Sequence, residues 1–248
     1  MQTRGLSRRR LLGAGAALGA APIAVAQAAT LGHGDGVPFT PNQADSPQAA
    51  DASSGYVYFT PAEAAFVEAA SARMIPADAL GPGAVEAGVP VFIDRQLAGD
   101  FGHASRMYMQ GPWPAGLKTQ GYQSRFTPAQ MYRAAIPAID AEARRTGGSG
   151  FAQLAPEAQD ALLKRLETGA VDLGQVSSTA FFALLLQNVM EGFFSDPIYG
   201  GNRGMVGWKL IGFPGARYDQ TEFVSKFGEP YPLPPVGIRG RPAWTGRA

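Results

Sequence analysis

The sequence contains no cysteine, which excludes disulfides and the C-x-x-C-H attachment of a c-type haem. Histidine is nearly as scarce, with only His33 and His103. His33 falls in a polar leader, and a lone His103 cannot assemble a nitrogen-rich metal site. His103 is therefore expected to be a surface or locally hydrogen-bonded side chain. No P-loop and no G-x-S-x-G elbow occurs. Gly13, Gly15 and Gly19 resemble a dinucleotide fingerprint, but its third glycine would have to stand at Leu18 and follow a strand. Alternating strand patterns and internal repeats are also missing. Carboxylates remain, and Asp78, Glu86, Asp94 and Asp100 lie close enough in sequence to contain an acid/base pair. Helix caps and ion pairs with Arg73, Arg95 or Arg106 account for them more simply. No catalytic, cofactor-binding or metal-binding residue is therefore assigned.

What is abundant is punctuation. The 32 glycines and 20 prolines make up about a fifth of the 248 residues, against roughly 12% in average proteins. Long irregular segments are expected, lying either on the chain's own helices or on another chain. Hydrophobic residues at 46% and charged residues at 17% are compatible with one globular domain and a sizeable core.

Residues 1–26 hold Arg4, Arg8, Arg9 and Arg10 and no acidic residue. Ser7, Arg8, Arg9, Leu11 and Leu12 open a weakly apolar, Gly/Ala-rich stretch, and Ala24-Val25-Ala26 supplies a small-residue cleavage site. This pattern is a twin-arginine signal peptide, shorter than the ~20 apolar residues of a spanning helix. Loss of residues 1–26 would turn the formal net charge from +1 to −3. A mildly acidic mature chain is a poor ligand for nucleic acid. An exported chain without cysteine must draw its stability from packing or from a partner that binds its folded state.

The mature sequence divides into a polar leader over 27–55, a helical region over 56–227 and a proline-rich tail over 228–248. Thr60-Pro61-Ala62-Glu63 is a capping box with proline in the first turn, followed by Phe66, Ala70 and Met74 on one face. Thr127-Pro128-Ala129-Gln130 repeats the device ahead of Met131, Ala134, Ala135 and Ile139, with Pro137 expected to kink the helix. A third helix starts at Ala155-Pro156-Glu157, carries Leu162, Leu163 and Leu166 on one face, and ends near Gly169. Ser178 to Phe194 is apolar nearly all round, so it is either central to the core or shared with a partner. Together these signals predict a mainly α fold: an irregular helical domain with long Gly/Pro-rich loops and extended N- and C-terminal arms.

Two aromatic, glycine- and proline-rich clusters stand out, Gly111-Pro112-Trp113-Pro114 and the run from Phe193 to Ala216. Rigid turns presenting Trp, Tyr and Phe serve interface hot spots and loop-rich cores alike. Trp113, Phe193, Phe194, Tyr199, Trp208 and Phe213 are thus candidates for a partner interface, with the core as the alternative.

Two stretches carry a resemblance. Pro82 to Gly99 (PGAVEAGVPVFIDRQLAG) and Glu191 to Asn202 (EGFFSDPIYGGN), continuing through Gly207-Trp208-Lys209 and Gly212-Phe213-Pro214-Gly215-Ala216, resemble the gluconate 2-dehydrogenase subunit 3 family. The similarity extends over roughly Phe59 to Val224. It implies the small subunit of a membrane-bound, FAD-dependent sugar, sugar-acid or polyol dehydrogenase. FAD would then lie in a large flavoprotein subunit, and haem c in a multihaem cytochrome subunit, with no cofactor in this chain. The resemblance further implies that the chain binds the large subunit, supplies its twin-arginine export signal to the translocase, and resides in the periplasm at the cytoplasmic membrane. Other readings of the residues are a free-standing secreted hydrolase using Asp94 or His103, and a periplasmic binding protein.

Overall fold

The computed structural model describes residues 55–238 apart from 115, 118, 121 and 218. Ser7, Arg8, Arg9, Leu11 and Leu12 lie outside the described residues, as do the leader over 27–54 and the tail beyond 238. Six α-helices occur among the described residues: α1 Pro61–Met74, α2 Val89–Ala98, α3 Pro128–Arg145, α4 Pro156–Glu167, α5 Ser178–Phe194 and α6 Val206–Ile211. Strand structure there is limited to isolated bridges. The fold is mainly α.

Helix starts follow local chemistry. Thr60 Oγ1 accepts from Glu63 N, and Glu63 Oε2 accepts from Thr60 N at 2.8 Å. Thr127 and Gln130 make the same reciprocal pair at the start of α3, with Thr127 N donating to Gln130 Oε1 at 2.9 Å. Each box provides partners for amides that the first turn leaves open. Pro137 sits inside α3 on its exposed side, and the helix continues to Arg145. Ala134, expected on the buried face, is exposed; Tyr132 and Ile136 take that place with Met131, Ala135 and Ile139.

Helix α5 is the hub, packing against α1, α2, α3, α4 and α6. Phe181, Leu184, Leu185, Val189 and Phe193 point into the core. An aromatic chain crosses the core from Phe59 to Tyr132, Phe181, Phe66 and Phe151, with successive centroids 6.1, 5.3, 6.2 and 5.0 Å apart. Edge-on and tilted rings at these distances add to the area they bury. Tyr132 is fully buried, and its hydroxyl accepts from Asn188 Nδ2 at 3.0 Å. Burial pushes the Tyr132 pKa far above the ordinary phenol value, so its side chain stays neutral. At the rim, the half-exposed Arg165 of α4 donates to the buried Glu142 of α3 at 2.6 Å. Arg73 of α1 grips Asp160 of α4 through both carboxylate oxygens, at 2.7 and 2.6 Å.

The proline-rich tail is described as far as residue 238 and holds no helix over 228–238. Its described part is no free arm, however. Val236 is buried, Ala216 N donates to Val236 O at 2.6 Å, and Val236 N donates to Pro214 O at 3.2 Å. The tail lies along the chain's own Pro214–Ala216 segment.

The two faces of α5 should respond differently to truncation. Phe181→Ala is expected to lower stability by about 3–5 kcal/mol, whereas Leu186→Ala on the exposed face should change it by less than about 1 kcal/mol. Urea unfolding of the two variants checks this. A Leu186 loss equal to that of Phe181 would contradict the burial pattern.

Candidate partner-docking surface

The two signature stretches build one substructure around the C-terminal end of α5. Helix ends leave carbonyls without intrahelical donors, and here the loop that follows supplies them. Ser195 Oγ donates to Gly192 O at 3.3 Å, Trp208 Nε1 donates to Phe194 O at 2.7 Å, and Asn202 Nδ2 donates to Ser195 O at 2.8 Å. Asn202 is fully buried, and its Oδ1 accepts from Gly207 N at 2.9 Å. This brings α6 back onto α5. The approach is close: a Cβ on Gly201 would stand 2.2 Å from Gly192 O, and one on Gly207 would stand 2.2 Å from Phe193 O. The turn passes through the left-handed region at Asn202, Gly204 and Met205, with φ of 45°, 66° and 56°. For Met205 that conformation is costly and must be held by surrounding contacts.

The Pro82–Gly99 stretch docks on this loop. Arg203 N donates to Ala87 O at 2.9 Å, and a Cβ on Gly88 would stand 2.5 Å from Arg203 Nε and 2.8 Å from Gly200 O. Asp94 on α2 is 2% exposed and accepts three successive backbone amides, those of Val57, Tyr58 and Phe59, at 2.8, 2.9 and 2.8 Å. Asp196 does similar work at the other end of the domain. Its Oδ1 accepts from Ile198 N at 2.9 Å, and its Oδ2 accepts from Ile238 N at 2.6 Å.

These contacts assign three of the four carboxylates that the sequence left open. Asp94 anchors the approach to α1, Asp78 Oδ1 caps a turn through Leu80 N at 2.8 Å, and Glu86 Oε2 accepts from Gly83 N at 3.1 Å. The expected ion pair of this group with Arg73 is replaced by the Arg73–Asp160 pair. His103 is exposed, with Nδ1 2.8 Å from Gly99 O. Asp78, Glu86 and Asp94 are thus bound to backbone amides, and none is paired with His103. No group of three or more His, Asp or Glu side chains arranged for a metal occurs among the described residues.

The six aromatic candidates separate. Phe193 and Trp208 are 2% and 5% exposed, so they belong to the chain's own core and offer a partner little surface. Phe194 is half-buried. Tyr199, Phe213 and Trp113 are 49%, 44% and 43% exposed. Phe194 and Tyr199 come together in an open groove of about 430 Å³, completed by Phe92, Gln96, Glu191 and Ser195. Phe213 stacks edge-on against Trp208 at 5.2 Å. Trp113 lies apart from this group in sequence, in the irregular segment after α2, folded against Gly111.

Sequence reasoning missed the aliphatic part of this surface. Leu186 and Met190 on α5, and Leu210 and Ile211 on α6, are 37%, 50%, 50% and 60% exposed. Phe182, Leu186, Met190 and Phe194 recur every fourth residue and form one ridge. The signal was the nearly charge-free composition of α5, whose only charged residue is Glu191. The spacing did not reveal that one face of this helix remains open.

The family model for gluconate 2-dehydrogenase subunit 3 matches residues 61–215. The chain belongs to this family. The match runs from the first residue of α1 to the glycine that pairs with Val236, and so takes in the first stretch, the second as far as Gly215, and the cap of α5. No curated protein matches the chain, and no solved structure does. As a subunit 3, it is an accessory subunit of an oxidoreductase complex.

Two losses in the isolated subunit are expected. Trp208→Ala should cost about 3–5 kcal/mol, while Phe213→Ala should cost much less, because its ring is half in solvent. Asp94→Ala strips the acceptor from three amides and should cost about 2–3 kcal/mol, with fast hydrogen exchange at Val57, Tyr58 and Phe59. Protection of those amides at wild-type levels in the variant would contradict the anchoring role.

Proposed function

We propose that the chain is the small, non-catalytic subunit of a periplasmic, FAD-dependent sugar, sugar-acid or polyol dehydrogenase, and that it binds the large flavoprotein and carries it out of the cytoplasm. The observation that carries this reading is the exposed apolar ridge and groove of α5 beside the α5 cap, which the second stretch builds and the first docks on. Contiguous apolar surface on a folded subunit favours a protein partner. The half-exposed Phe194, Tyr199 and Phe213 are of the residue types that dominate interface energetics. Ser7, Arg8, Arg9, Leu11 and Leu12 provide the export signal that the translocase reads. The cofactors, FAD in the large subunit and haem c in a cytochrome subunit, belong to the partners. Attachment to the membrane runs through the complex; no helix of the described residues is long and apolar enough to cross a membrane.

Replacing Arg8 and Arg9 together by lysine is expected to retain this chain in the cytoplasm, and the flavoprotein with it. Fractionation followed by flavin fluorescence of the periplasmic extract reads the outcome. Wild-type amounts of flavoprotein in the periplasm of the mutant would remove the escort role and leave the subunit role standing.

A further inference from the structure

The groove at the end of α5 has an unusual charge. Its walls hold three aromatic rings, from Phe92, Phe194 and Tyr199, two neutral polar side chains, Gln96 and Ser195, and a single carboxylate, Glu191. Glu191 is exposed, and its hydrogen-bond partner is Gln187, whose Nε2 donates to Oε1 at 2.7 Å. Among the described residues no arginine or lysine forms a salt bridge with it. It also stands in the last turn of α5, where the partial negative charge of the helix terminus opposes a carboxylate. Helix α5 has no basic residue in that turn to offset this. A lone carboxylate therefore sits where its own helix disfavours it, in a recess walled by rings.

The missing complement is a cation with an apolar body. A guanidinium entering the groove would meet the Glu191 carboxylate, the negative end of α5 and the electron-rich faces of the rings together. The adjoining ridge of Phe182, Leu186 and Met190 extends the apolar surface along the helix. We infer that the groove is the docking site for an arginine carried on an apolar segment of the large flavoprotein subunit, the arginine pairing with Glu191 between Phe194 and Tyr199 while the segment covers the ridge. Arginine is favoured over lysine because its planar group stacks on rings and pairs bidentately with a carboxylate. A second copy of this chain presenting the same face of α5 brings no basic residue from that helix, and would cover Glu191 without compensation. This inference rests on the reading of the chain as a flavoprotein-binding subunit.

The test uses the full tagged chain produced in its own cells in place of the native copy, captured, and washed at rising salt while the flavin absorbance retained per chain is recorded. Wild type should retain stoichiometric flavin at low salt. Glu191→Gln should weaken retention by about tenfold in apparent Kd and flatten its salt dependence, Glu191→Lys should abolish it, and Glu191→Asp should restore part of it. Glu191→Asp should keep the wild-type melting temperature, Glu191→Gln and Glu191→Lys should hold or slightly raise it because they relieve the carboxylate at the helix end, and Glu167→Gln on α4 should retain flavin as wild type. Retention unchanged in Glu191→Gln would overturn the inference, and so would a wild-type dimer that Glu191→Lys dissociates. Saturable binding of argininamide that Glu191→Gln removes while flavoprotein retention stays intact would also overturn it, in favour of a small-cation site. A wild-type chain that retains no flavin would instead overturn the flavoprotein-binding reading beneath it.

Discussion

Helix α5 has to end within the protein, and the carbonyls of Gly192, Phe194 and Ser195 at its end need donors that the helix itself lacks. Ser195, Trp208 and Asn202 supply them, and nearly everything distinctive about the second half of the chain follows from this requirement. The glycines at 201 and 207 let the backbone approach closely enough for those bonds to form. The left-handed residues from Asn202 to Met205 turn the chain back toward the helix. The stretch from Glu191 to Trp208 is, physically, a cap assembled from a loop.

Both ends of the domain are then fixed by carboxylates that belong to the same two stretches. Asp94 holds the backbone entering α1, and Asp196 holds the backbone of the tail at Ile238. Hydrogen bonds from amides to an ionised acceptor are stronger than bonds between neutral groups. In a chain with no cysteine, these contacts tie the approach to α1 and the tail to the helical core. The same use of acids explains why a carboxylate-rich region need not be a catalytic one. Asp78, Glu86 and Asp94, which sequence proximity grouped together, are directed at different sets of backbone amides.

Burial divides the aromatic residues of the second stretch into two kinds of work. Phe193 and Trp208 hold the cap from within, whereas Tyr199 and Phe213 keep half of their surface in solvent and Phe194 lies between. Phe193 and Phe194 divide in this way because successive side chains of a helix point about 100° apart, so one faces the core when the next does not. The outer ridge of α5 joins this surface, so one helix organises the core and also presents the apolar face. An accessory subunit needs both properties: a fold that stands on its own and a patch that another subunit can cover.

Local chemistry alone determined where α1 and α3 begin. Thr60-Pro61-Ala62-Glu63 and Thr127-Pro128-Ala129-Gln130 carry their capping partners within four residues, and the apolar run Ser178 to Phe194 has the bounds of α5. The mainly α class and the family resemblance were legible for the same reason, since short-range patterns and contiguous motifs survive in a linear reading. The division between core and surface was not legible. Which side of an all-apolar helix is covered depends on neighbours far along the chain, so Leu186 and Met190 read the same as Leu185 and Val189 until α1 to α4 pack on one side. The roles of Asp94 and Trp208 were hidden in the same way. Their partners, the amides of 57–59 and the carbonyl of Phe194, lie 35 to 37 and 14 residues away. Backbone donors and acceptors have no residue-specific signature, and only tertiary structure decides which side chain meets them.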